Sequence, residues 1–70
     1  MCKTSKIVGR NVATIRAQRK MTQSILAKRS KINQPRISAI EKGVGNPTTE
    51  TIEAVAKALK VPVIELFQEI

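Results

Sequence analysis

TQSILAKRSKINQPRISAIEKG, residues 22–43, is the stretch that decides the fold of this 70-residue chain. Two short helical patterns lie in it, one directly after the other. Thr22 is a residue type that caps helix starts, and Leu26 and Ala27 follow it as an inward face. The spacing predicts a helix over 23–30. Ser30-Lys31-Ile32-Asn33 then forms a turn, with Ile32 as a buried anchor. Asn33 is the preferred cap of a second helix whose inward residues are Ile37 and Ile40. Pro35 fits only near a helix start, where its missing N–H costs nothing. It also disfavours the helical region for the residue before it, which leaves Gln34 as a rival cap. Gly43 ends this helix, because glycine readily takes the left-handed terminal position.

The flanking segments extend the same helical reading. Upstream, Val8, Val12 and Ile15 stand at i, i+4 and i+7, supported by Ile7. They predict a helix over 6–20 capped by Ser5, with Arg10, Arg16, Arg19 and Lys20 on its other face. Downstream, Val44-Gly45-Asn46-Pro47 is a loop. Thr48 caps a helix over 49–60 that carries Ile52, Val55, Ala56 and Leu59 on one side. Val61-Pro62 breaks that helix, and Val63, Ile64, Leu66 and Phe67 belong to a short fifth one. No strand pattern or repeat is present. The expectation is an all-α bundle of five short helices around one core, a single domain over 1–70. Residues 1–5 are a tail, and 61–70 are a candidate dimerisation helix.

Composition narrows the function. There is no His and no Asp, and the single Cys is Cys2. A zinc site takes about four Cys or His ligands, and a His-based triad needs a His. An enzyme, a metal site and a cofactor are therefore not expected. A chain this short leaves no material for a deep ligand cavity. No stretch approaches the ~20 apolar residues of a membrane span, and residues 1–20 have no export-signal core. A soluble cytoplasmic protein is the default. One unpaired Cys suits that compartment.

Charge is the informative bulk property. Thirteen Lys and Arg against five Glu give a net +8. Residues 1–42 carry a net +10 and residues 43–70 a net −2. This lopsidedness suggests a polyanion-facing surface. Phe67 is the only aromatic residue, so the basic half has no ring on which to stack an unpaired base. Duplex DNA is the favoured polyanion.

Helices over 23–30 and 34–42, joined by a tight turn and crossing at the small Ala27, have the pattern of a helix-turn-helix. In that motif the second helix enters the major groove. The segment 22–43 resembles the helix-turn-helix of phage repressors, Cro-like proteins and xenobiotic-response-element-type bacterial regulators. The likeness extends to Ile15-Arg16, Thr22-Gln23, Leu26-Ala27, Ile37-Ser38, Ile40-Glu41-Lys42-Gly43, Asn46-Pro47 and Ala56-Lys57-Ala58-Leu59. It implies a lambda-repressor-like DNA-binding domain with its motif at about 23–42. Two positions depart from the family pattern. Lys31 stands where a Gly is usual, and Ser30 where an apolar residue is usual. A left-handed Lys31 costs on the order of 1 kcal/mol.

Residue roles follow from chemistry and from the resemblance together. Gln34 has the donor and acceptor pair that matches an adenine edge, and Arg36 the fork that matches guanine O6 and N7. The family position of Gln34 often contacts bases. Ser38 lies one turn after Gln34, and Pro35 and Ala39 offer apolar contact to a thymine methyl. Gln23 opens its helix with its N–H aimed at phosphate. The resemblance adds that its side chain supports the first Gln of the next helix. Lys31, Lys42, Asn46 and Arg16 are phosphate candidates. The resemblance further suggests an ion pair between Arg16 and Glu41, the only acid among the first 42 residues. Val63, Ile64, Phe67 and Ile70 are more apolar surface than a terminal helix hides, and they are expected to form a homodimer face. A two-fold dimer places two reading helices about 34 Å apart on a palindromic site. The rival readings are a protein-interaction module working through the apolar terminal helix and a cationic membrane-surface peptide. The basic residues are spread over three capped helices, which disfavours the second.

Overall fold

Three side chains start three of the helices, each in the same way. Thr22 Oγ1 accepts the N–H of Ile25 at 3.1 Å, Asn33 Oδ1 that of Arg36 at 2.9 Å, and Thr48 Oγ1 that of Thr51 at 3.1 Å. All three caps are in extended backbone. In this computed structural model, which describes residues 3–44 and 47–68, they open α2 (Gln23–Ser30), α3 (Gln34–Glu41) and α4 (Thr49–Leu59). α1 (Lys3–Gln18) precedes them, and a single 3-10 turn at Val63–Leu66 follows. Among the described residues there is no strand. The fifth expected helix is thus one tight turn. Asn33 is the cap and Gln34 is already helical, with Pro35 in the first turn where no N–H is needed.

Helix ends are equally uniform. After α1, α2, α3 and α4 the chain turns left-handed at Lys20, Lys31, Gly43 and Lys60, with φ of 56°, 62°, 74° and 61°. The next residue then donates back to the carbonyl five positions earlier: Met21 to Arg16, Ile32 to Ala27, Val44 to Ala39 and Val61 to Ala56, all at 3.0–3.1 Å. This is the Schellman closure. It satisfies carbonyls that would otherwise be orphaned, at about 1 kcal/mol of strain for each lysine.

α1 begins before the expected position. Ser5 does not cap it but sits inside its first turn, 8% exposed. The reason is tertiary. The first turn of α1 lies against the end of α3, where a Cβ on Gly43 would come within 3.1 Å of Lys6 Cα. Packing there extends the helix past the nearest good capping residue. At its other end α1 stops at Gln18 rather than 20, because Lys20 is left-handed.

The core is contributed by every element. Val8 and Val12 of α1, Leu26 of α2, Ile37 of α3, Val55 and Leu59 of α4, and Leu66 are all fully buried. Met21, Ala27, Ile40 and Ala56 join them, while Ile15, Ile32, Ile52 and Val63 pack around the edge. Ile32 is therefore an edge contact rather than a buried anchor. Its main-chain N–H, bonded to Ala27, fixes the turn instead. Gly9 marks a close crossing of α1 and α3: a Cβ there would lie 2.3 Å from the Ile40 carbonyl oxygen.

Candidate nucleic-acid interface

The start of α3 points away from this core. Gln34, Pro35 and Arg36 are exposed, Ser38 and Ala39 are half-buried, and Ile37 and Ile40 hold the opposite face inside. The five residues expected to read bases therefore lie on the side of α3 away from Ile37 and Ile40, three of them in its first turn. The capping bond from Asn33 to the N–H of Arg36 fixes the first turn.

A polar brace fixes the far end of α3. Arg16 Nε donates to Glu41 Oε2 at 2.6 Å and Arg16 Nη2 to Oε1 at 3.2 Å, a fork-to-carboxylate pair. Arg16 Nη1 donates to the Met21 carbonyl at 2.7 Å, and Gln23 Nε2 donates to Glu41 Oε1 at 2.9 Å. The Glu41 carboxylate thus joins α1, the start of α2 and the end of α3, and Arg16 adds the turn after α1. The side chains are 20% and 8% exposed for Arg16 and Glu41, so the pair is shielded and needs every partner it has.

The brace changes the reading of Gln23. Its amide turns to Glu41, and no hydrogen bond joins it to Gln34 among the described residues. An ionised carboxylate is the stronger acceptor for that amide. The main-chain N–H of Gln23 stays at the open start of α2, where a helix leaves its first donors unpaired. Lys42 is exposed at the end of α3. Lys31 lies at the end of α2 beside Ala54 and Lys57 of α4, on a different flank from Gln23. Asn46 and Ile70 lie outside the described residues.

Of the expected dimer residues, Ile64 is 65% and Phe67 41% exposed, whereas Val63 packs against the core. Two side chains that hold the second half of the chain in place were not anticipated in that role from the sequence. Asn11, 4% exposed, donates from Nδ2 to the Leu66 carbonyl at 2.9 Å and to the Gln68 carbonyl at 2.8 Å. Arg19 Nε donates to the Leu59 carbonyl at 2.7 Å and closes α4. The signal for Asn11 was present: it falls at i+3 from Val8 and i−4 from Ile15, a polar residue on an apolar face that calls for an internal partner. Among the described residues no group of three or more potential metal ligands occurs, and no helix is long and apolar enough to cross a membrane.

Known proteins share this arrangement. The helix-turn-helix family model matches residues 12–66. A helix-turn-helix-type transcriptional regulator of Sinorhizobium fredii, y4dJ, is 39% identical over 61 residues, covering 87% of this chain and 79% of its own. The immunity repressor of Bacillus phage phi105 is 37% identical over 62 residues, covering 89% of this chain but only 43% of its own. This chain therefore spans less than half the length of that repressor. The restriction-modification controller protein C.Esp1396I, solved as a tetramer in complex with its natural 35 base-pair operator, superposes with a TM-score of 0.87 at 30% identity. That match covers 96% of this chain and 88% of the controller. The residues that carry the motif here and the extent of these matches lead to one conclusion: the chain belongs to the helix-turn-helix family of DNA-binding transcriptional regulators.

Proposed function

We propose that this protein is a cytoplasmic, homodimeric regulator that reads a palindromic operator with α3 in the major groove. The observation that carries the reading is the outward display of Gln34, Pro35 and Arg36 on a helix end whose opposite side is buried and whose far end is braced through Glu41. Gln34 and Arg36 supply the bidentate pairs that distinguish adenine and guanine. Ser38, Ala39 and Pro35 fill the groove beside them. Gln23 through its main chain, Lys42, Asn46 and Lys31 hold phosphates and set register. Arg16 keeps one outer hydrogen on each Nη for a phosphate while it braces Glu41. Ile64, Phe67 and Ile70, with Val63 beneath, form the contact with the second copy. The operator-bound tetramer of the similar controller protein supports this assembly.

The test is a footprint on the DNA upstream of the protein's own gene, with competitor duplex and a salt series. Wild type should protect a two-fold site, with affinity falling steeply as salt rises. Gln34→Ala and Arg36→Ala should each cost about 1–3 kcal/mol of specific binding and relax the preference at one base pair. Unchanged specificity in both variants would remove α3 from the reading role.

A further inference from the structure

The DNA-reading arrangement leaves much of the positive charge without a task. Arg19, Lys20, Arg29, Lys57 and Lys60 take no part in it. Together with Lys31, which the DNA reading places at a phosphate, they line two open grooves, of about 330 and about 360 Å³, that run between α2 and the second half of α4. The grooves share Arg29 and Ala58, so they form one continuous track. Among the described residues, no carboxylate and no residue of α3 lines either groove. The floor is apolar: Ala54 and Ala58 are half-buried, and Ile25 stands 40% exposed beside them. Lys20 and Lys60 hold left-handed backbone at helix ends, so charge is placed on rigid positions where glycine would be less strained.

We propose that this track docks an acidic amphipathic helix from a partner protein. The single sign of charge calls for an acidic ligand. The apolar floor separates the candidates, because the outside of a duplex is hydrated phosphate with nothing to place on Ile25. A helix with an apolar stripe at i, i+3, i+4 and i+7 sets that stripe on Ile25 and Ala58 and its flanking carboxylates against Arg29 and Lys57. Since the track excludes α3 and shares only Lys31 with the proposed phosphate contacts, the partner is held while the protein sits on DNA.

The probe is a synthetic 18-residue peptide with Leu at that spacing and Glu at most other positions, titrated against the full chain by fluorescence anisotropy at moderate salt. The control is a scrambled peptide of equal charge without the stripe. The ordered peptide should bind roughly tenfold or more tightly than the scrambled one, and Arg29→Glu with Lys57→Glu should weaken it roughly tenfold or more. Ile25→Gln, an exposed change that leaves the charge intact, should remove the preference for the ordered peptide. Thermal melts verify that each variant is folded. Arg36→Ala should leave peptide binding unchanged. Equal binding of both peptides, or loss of binding with Arg36→Ala, would overturn the proposal. So would a loss of duplex binding by the Arg29→Glu/Lys57→Glu variant as large as that of Arg36→Ala, which would make the flank a DNA surface.

Discussion

Gly9 sets the distance between α1 and α3. Any side chain there meets the Ile40 carbonyl at 2.3 Å, and main chain cannot rotate away as a side chain can. Gly9→Ala should therefore force the helices apart. The overpacking costs about 2–3 kcal/mol, against about 1 kcal/mol gained from alanine's better helix propensity. A net loss of about 1–2 kcal/mol is expected, seen as a melting temperature lowered by roughly 4–16 °C. Lys31 is the opposite case. Its φ of 62° and ψ of 29° are conformations that glycine adopts freely. Lys31→Gly should raise stability by about 0.5–1 kcal/mol in urea denaturation. A fall in stability would mean that the lysine charge at the end of α2 outweighs the strain.

At the scale of the element, the motif is held by polar cross-links as much as by its apolar seam. α2 and α3 are each only eight residues long, too short to persist alone in water. Glu41 ties both to α1. Glu41→Ala strands the half-buried Arg16 guanidinium and the Gln23 amide, and should cost about 2–3 kcal/mol. Amide hydrogen exchange should show the loss concentrated in α2 and α3, with α4 less affected. Asn11 does the same for the end of the chain. Asn11→Ala leaves the Leu66 and Gln68 carbonyls without their donor. The 3-10 turn should loosen and dimer affinity should fall, measured by sedimentation equilibrium. A fully stable dimer in that variant would show that the turn is held by Leu66 packing alone.

For the whole molecule, affinity for a palindromic site depends on two reading helices acting together. Each is held on a body only 27 × 22 × 19 Å across, so the dimer contact fixes their separation. The double variant Ile64→Glu with Phe67→Glu replaces two exposed apolar side chains and disturbs little else. It should be a folded monomer by sedimentation, with operator affinity reduced roughly 10²-fold or more through loss of bivalence. A dimer that survives both charges would place the two-fold contact elsewhere.

What the sequence by itself determined is local. Capping oxygens, a proline that tolerates only a first turn, and apolar spacing at three and four residues act within a few positions, so Thr22, Asn33, Thr48 and the faces of α2, α3 and α4 were legible. The polar display at the start of α3 was legible for the same reason, since a residue's side on a short capped helix follows from its spacing to Ile37 and Ile40. What only the tertiary structure decided is where distant segments meet. Ser5 lies inside α1 because the end of α3 covers that turn. Gln23 serves Glu41 because folding carries a carboxylate eighteen positions away to within 2.9 Å. Asn11 holds carbonyls more than fifty positions along the chain. The flank between α2 and α4 gathers its cations from those two helices and from the turns that follow α1, α2 and α4. Such contacts depend on a crossing distance and a packing angle, and no spacing within a single helix encodes either.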